Sequence, residues 1–154
     1  MAENADLIKL YSSRILALAA DIPHHARLDK PQVSVKRRSP LCGSTVTVDL
    51  DIQDGQVSRF GQDVKACALG QAAAALLGQV VIGRSADELA QARDQLRAML
   101  TENGPVPDAP FEGFEVLIPA RDYRNRHASI LLALEAATEA AHQGVTQEDG
   151  LRAP

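Results

Sequence analysis

The chain has little of what several protein classes require. Among its 154 residues there are two cysteines, no tryptophan and only 3% aromatic residues. Two cysteines are too few for the disulfide framework of a small secreted domain, and no signal-peptide pattern stands at the start of the sequence. No apolar run approaches the roughly 20 residues that cross a bilayer. We therefore expect a cytoplasmic protein with no membrane partner, in which cysteines serve metal binding or reactive chemistry.

The charge balance excludes another class. The net charge is −4, whereas nucleic-acid binding normally needs a clustered basic face, so we expect no nucleic-acid partner. The length fits one domain, predicted over residues 1–142, and the polar residues 143–154 are predicted to form a disordered tail. The sequence contains no recognisable nucleophile–base pair or phosphate-binding loop, so it does not predict an enzyme.

The clearest local signal is a β-hairpin. Asp54-Gly55 is a pair preferred in two-residue hairpin turns, where both residues have positive φ. Apolar residues alternate along the strand before it: Val46, Val48, Leu50 and Ile52. On the return strand Val57 and Phe60 have opposite parity, which predicts a β-bulge or a one-residue slip near residues 58–59.

The hairpin brings the two cysteines together. Counting outwards from the turn places Cys42 and Cys67 opposite each other beyond the open end of the ribbon, within about one residue. Directly opposed Cβ atoms lie about 4.5–5.5 Å apart, a spacing that suits two thiolates sharing a metal and also a disulfide. Cys67 begins a predicted helix, whose positive end stabilises a thiolate. Taken alone, Cys67 would instead be a small buried hydrophobic residue.

The remaining segments are mostly helical. Apolar periodicity predicts helices over residues 6–20 and about 126–142, and Ser85 to Glu88 form a capping box that starts another. The order is one helix, three strands and then helices. It predicts an α+β fold, with a small antiparallel three-stranded sheet and helices packed on one face.

Three short motifs, in this order, carry a family resemblance: Ser-Pro-Leu-Cys42-Gly-Ser, Lys-Ala-Cys67-Ala-Leu-Gly-Gln and His127-Ala-Ser-Ile-Leu. Over about residues 6–140 the chain resembles the iron–sulfur cluster assembly scaffolds IscU, SufU and the NifU N-terminal domain. The resemblance implies a SufE/NifU-like fold with metal ligands at one exposed end of the sheet. It also implies a transient [2Fe–2S] cluster or iron as cargo, with zinc as the alternative. The implied partners are a cysteine desulfurase and downstream iron–sulfur acceptor proteins.

The ligand set departs from the family pattern. Ser44 stands where the family has Asp, and the third cysteine is replaced by His127 or Ala128, depending on which family motif is matched. The resemblance therefore implies three ligands and three candidates for an additional one: Cys42, Cys67 and His127, then Asp63, Asp122 and Ser44. A [2Fe–2S] centre uses four ligands, among which His can replace Cys, and zinc accepts two Cys, one His and a water.

Three functions remain open from the sequence. The first is a scaffold or carrier that binds a nascent cluster or its iron and passes it on. The second is a sulfur-transfer accessory of the SufU or SufE kind, in which a reactive cysteine accepts sulfur from a desulfurase. The third is a diverged domain with structural zinc or an empty site. We expect them in this order.

Overall fold

The computed structural model describes residues 10–40 and 43–152, with side chains to residue 150. The elements in this part of the chain are α1 (Ser13–Ala20), β1 (Val33–Arg38), β2 (Thr45–Gln53), β3 (Gln56–Lys65), α2 (Ala68–Val80), α3 (Ala86–Thr101), a 3₁₀ segment (Glu112–Asp122) and α4 (Arg124–Arg152). The strands form one antiparallel sheet in the order β1-β2-β3. The predicted α+β class is confirmed. No helix in the described ranges is both long and apolar enough to cross a membrane.

The hairpin between β2 and β3 forms as the sequence predicts. Asp54 and Gly55 both have positive φ, 54° and 77°. Beyond the turn the register shifts: Ile52 pairs with Val57, but Asp51 pairs with Arg59, which leaves Ser58 as the extra residue of a bulge. Because of the bulge, Val57 and Phe60 are both buried, although one has an odd and the other an even residue number.

The helices build the core on one face of the sheet. Helix α4 packs against β1 and β2, while α2 packs against β3 and α4. Ala72 to Ala75 of α2 are all at most 1% exposed. Their small side chains allow the backbone of α2 to lie close to its neighbours, and burial of apolar area supplies the main stabilising free energy. This packing fixes the position of the N-termini of α2 and α4.

A buried carboxylate fastens the loop before β1 to the sheet. The Asp49 side chain is fully buried and accepts hydrogen bonds from Arg27 Nε (2.6 Å), the Leu28 amide (3.0 Å) and the Ser34 hydroxyl (2.7 Å). Burial raises the pKa of Asp49, but these hydrogen bonds lower it by more, so the pKa lies below its ordinary value. Asp49 is therefore a structural anion that holds the loop.

The helix predicted over residues 6–20 is interrupted at residues 11–12, since Leu10 is helical and the helical conformation resumes at Ser13. Among the described residues α1 starts at Ser13, because Ser12 leaves the helical conformation and its Oγ accepts a hydrogen bond from the Ile15 amide (3.3 Å). Of the predicted helix over residues 6–20, Leu10 and Ser13–Ala20 are helical, and residues 6–9 lie outside the described residues. The capping box at Ser85 is present as predicted.

The last helix extends beyond its predicted end. Residues 143–152 continue α4 and are helical, in contrast to the expected disordered tail; residues 153–154 lie outside the described part of the chain. Glu148 accepts hydrogen bonds from both amides of the Asp54-Gly55 turn, at 2.8 and 2.9 Å. A Cβ added at Gly144 would meet strand β2 at 2.5 Å, so the helix lies directly on the sheet there. These distant contacts explain why a polar segment stays helical.

Candidate metal centre

Cys67 is the N-cap residue of α2 and is separated from the end of β3 by Ala66. Its side chain makes no capping hydrogen bond, and the first turn of α2 contains no acidic residue. The unpaired amides of that turn and the positive end of the helix dipole therefore lie beside the sulfur, where they favour negative charge. The thiol is half-buried and free. The predicted position of Cys67 at a helix start is confirmed.

The loop that contains Cys42 is closed by its own backbone. The Ser39 amide donates to the Ser44 carbonyl at 2.8 Å, and the Gly43 amide donates to the Ser39 carbonyl at 3.1 Å. Cys42 itself lies outside the described residues. Thr45 pairs with Lys65, and this register continued outwards would put Gly43, the neighbour of Cys42, opposite Cys67. The bulge itself is present as predicted, and the approach of the two cysteines stays a prediction.

Two buried hydroxyls connect this loop to Cys67. Ser129 Oγ lies 3.5 Å from Cys67 Sγ and 3.1 Å from Ser44 Oγ. Ser129 is 1% exposed and Ser44 is 4% exposed. Ser44, predicted as a possible additional ligand, is thus connected to Cys67 through Ser129, because its hydroxyl is hydrogen-bonded to that of Ser129.

Ser129 is the residue that the sequence reasoning missed. It occupies the middle of the His127-Ala-Ser-Ile-Leu motif, and a helix turns about 100° per residue, so residues 127 and 129 leave α4 about 200° apart. Because of this rotation, His127 and Ser129 face different neighbours, and only one of them can face the side of α4 that packs against Cys67. The spacing separates Ser129 from His127, but which of them contacts Cys67 depends on how α2 packs against α4, so the sequence carries no signal that identifies Ser129.

His127 is buried, with 8% of its surface exposed, and its Nε2 lies 2.9 Å from the carbonyl oxygen of Ala120. A carbonyl only accepts hydrogen bonds, so Nε2 carries a proton, and Nδ1 is the ring nitrogen left for a metal. A hydrogen bond of this kind on one ring nitrogen is typical of histidines that bind metal through the other. His127 also lines an open cleft of about 700 Å³ together with Arg121, Asp122 and Arg124.

The other predicted ligands are spread around this end of the molecule. Asp63 lies on β3, half-buried, and Asp122 is exposed at the end of the 3₁₀ segment. Within residues 10–40 and 43–150, no three His, Cys, Asp or Glu side chains gather as metal ligands do. In the described part of the chain, Cys67, Ser129 and Ser44 lie next to one another. Ser129 contacts Cys67, and His127 leaves α4 about 200° away from Ser129, so His127 and Cys67 do not face each other directly. The sharing of a metal by Cys42, Cys67 and His127 stays a prediction.

The N-terminal part of a nitrogen-fixing NifU-like protein from Brucella abortus has a similar crystal structure and sequence. It is 42% identical to this chain, matches 92% of this chain and 99% of that one, and superposes with a TM-score of 0.89. The chain belongs to the NifU-like family. The predicted resemblance to IscU, SufU and the NifU N-terminal domain is thereby confirmed.

Two further proteins are similar to this chain. The iron–sulfur cluster assembly scaffold protein IscU of Thermotoga maritima is 23% identical over 131 residues, which span 85% of this chain and 92% of that protein. A putative SUF-system scaffold from Fervidobacterium islandicum AW-1 is 17% identical, with a TM-score of 0.76 over 87% of this chain and 98% of that one, and shares the fold. By name both are iron–sulfur cluster assembly scaffolds. No protein-family model matches the chain.

Proposed function

We propose that this NifU-like chain is a cytoplasmic iron–sulfur cluster assembly scaffold or carrier rather than an enzyme. Its cargo is a transient iron–sulfur cluster or iron. The observation that carries the proposal is the 42% identity to the NifU-like protein over 92% of the chain. The position of Cys67 at the positive end of α2, beside the closed loop that contains Cys42, supports it from the structure.

The proposed ligands are Cys42, Cys67 and His127. Thiolates are the common ligands of iron–sulfur clusters, and imidazole replaces thiolate in some [2Fe–2S] centres. His127 would bind through Nδ1, because its Nε2 proton is directed to the Ala120 carbonyl. A fourth position remains for Asp63, Asp122, Ser44, solvent or a group from a partner. A site with three protein ligands suits a cargo that must leave again.

Transfer needs a sulfur source and a recipient. We propose a cysteine desulfurase as the source and downstream iron–sulfur proteins as recipients. The cleft beside His127 contains Arg121, Arg124 and Asp122, so a partner that docks there would meet a charged surface next to a ligand.

The test is the metal and sulfide content of anaerobically purified protein, with its visible spectrum, before and after reconstitution with iron and sulfide. Cys42→Ala, Cys67→Ala and His127→Ala are each expected to lose the cluster. His142→Ala is a matched control, since His142 lies on the same helix and its Nδ1 donates to the Thr138 carbonyl (3.0 Å). We expect His142→Ala to keep the cluster.

Other results would point to the other two functions. A wild-type protein that forms no cluster when oxygen is excluded would contradict the scaffold proposal. Stoichiometric zinc without sulfide, together with stimulation of a cysteine desulfurase and sulfane sulfur on a cysteine, would identify a sulfur-transfer accessory. Zinc without that stimulation would identify a diverged zinc-binding domain.

A further inference from the structure

We propose that Ser129 is a positioning residue that orients the Cys67 sulfur and couples it to the loop containing Cys42. The inference rests on the proposed function in that it treats Cys67 as a ligand. Ser129 Oγ lies 3.5 Å from Cys67 Sγ and 3.1 Å from Ser44 Oγ. Ser129 lies on α4, the helix that also contains His127. Through its hydroxyl it connects α4 to Cys67 and to the loop that contains Cys42.

The hydrogen-bonding capacity of a hydroxyl fits this role. A serine hydroxyl has one proton to donate and lone pairs with which to accept. A metal-bound sulfur has no proton, so Ser129 must then donate to Cys67 Sγ and accept from the Ser44 hydroxyl. The result is a directed chain, Ser44 to Ser129 to Cys67, in which both hydroxyl protons point towards the sulfur.

The surroundings hold Ser129 in place. Its side chain is 1% exposed, and it lies against Gly70, where an added Cβ would be only 2.6 Å from Ser129 Oγ. Gly70 follows Cys67 by three residues, about one helical turn, so the same face of α2 presents the sulfur and the space for the hydroxyl. The hydroxyl thus has a fixed position relative to the sulfur.

Ser44 extends the connection to the loop. Its carbonyl accepts from the Ser39 amide at 2.8 Å, and the Ser39 carbonyl accepts from the Gly43 amide at 3.1 Å. The hydroxyl of Ser44 is held by Ser129 while its backbone closes the loop. A displacement of Ser129 would therefore disturb both the Cys67 sulfur and the loop that contains Cys42.

The experiment compares Ser129→Ala with Thr138→Val, a matched control. Thr138 is also 1% exposed on α4, but its hydroxyl donates only within the helix, to the Leu134 carbonyl at 2.6 Å. Co²⁺ alone is the probe, followed by its sulfur-to-cobalt absorption. We expect Ser129→Ala to bind Co²⁺ about 10–100-fold more weakly and with an altered absorption band, as is typical when a group that orients a metal ligand is lost. Thr138→Val should match the wild type.

A second measurement needs no metal. Hydrogen exchange of the Ser39 and Gly43 amides reports on the loop, and loss of one hydrogen bond is expected to speed it about three- to tenfold in Ser129→Ala. Ser44→Ala should speed it similarly. Thr138→Val should leave it unchanged.

The two measurements separate the two proposals. A wild-type protein that binds no Co²⁺ would count against the metal site, whereas the exchange comparison would still decide whether Ser129 holds the loop. If Ser129→Ala matches the wild type in Co²⁺ binding, absorption and exchange, the positioning role is overturned. Equal effects of Ser129→Ala and Thr138→Val would overturn it as well, because they would indicate general destabilisation.

Discussion

Substitution of Gly70 by alanine should destabilise the contact between α2 and α4 beside Cys67. The added Cβ would lie 2.6 Å from Ser129 Oγ, 2.8 Å from Ala66 Cβ and 3.2 Å from the Ser129 carbonyl oxygen. Ser129 is buried and cannot move aside into solvent, so the helices must separate or Cys67 must shift.

The magnitude follows from two opposing effects. Overpacking a well-packed interior typically costs about 1–3 kcal/mol. Replacing glycine by alanine inside a helix gains about 0.5–1 kcal/mol. Gly70 lies in the first turn of α2, where the gain is at the lower end, so we expect Gly70→Ala to lower the free energy of unfolding by about 0.5–2.5 kcal/mol. For a chain of this length the melting temperature should fall by about 1–10 °C.

Thermal and urea unfolding followed by circular dichroism would measure the change. Gly150→Ala is the control, because Gly150 also lies in a helix but nothing is within 4 Å of its added Cβ. The double variant Gly70→Ala/Ser129→Ala removes the shortest contact and should regain part of the loss, with a coupling energy of about 0.5 kcal/mol or more. A Gly70→Ala protein as stable as the wild type would refute the close approach of the helices.

Two further predictions concern the stability of the fold at positions away from Cys67. Asp49→Asn should lower the free energy of unfolding by about 1–3 kcal/mol at neutral pH. The folded-state pKa of Asp49 is lowered, so its contribution is fully present above the unfolded-state pKa and is lost as the pH falls through the folded value. Denaturant unfolding should thus show the wild type approaching the variant at acidic pH, and a difference that stays constant down to the lowest pH would contradict this. Ser85→Ala removes the hydroxyl that accepts from the Glu88 amide at 3.0 Å; it should cost about 1 kcal/mol in the same assay, and an unchanged midpoint would exclude a stabilising cap.

The hairpin and its bulge could be predicted because their determinants are local. The Asp54-Gly55 turn depends on residues that accept positive φ, and the parity of Val57 and Phe60 requires an extra residue whatever lies around the sheet. The helix start at Cys67 and the capping box at Ser85 follow from neighbouring residues in the same way.

The site was only partly predictable. The sequence by itself predicted two thiols and one imidazole at this end of the sheet. The structure confirms the position of Cys67 at the start of α2, and the approach of Cys42 to Cys67 stays a prediction. The sequence could not determine that Ser129 contacts Cys67, because the two residues are 62 positions apart and their distance depends on how α2 packs against α4.

The sequence also determined the α+β class and the hairpin, because alternation, helical periodicity and turn chemistry act over a few neighbouring residues. Only the tertiary structure decided where α4 ends and which hydroxyl lies beside the Cys67 sulfur. Residues 143–152 are polar enough to be predicted as a tail, yet Glu148 binds the amides of the hairpin turn and Gly144 lets the helix lie on the sheet. Contacts between residues far apart in the chain form only when the whole fold is assembled.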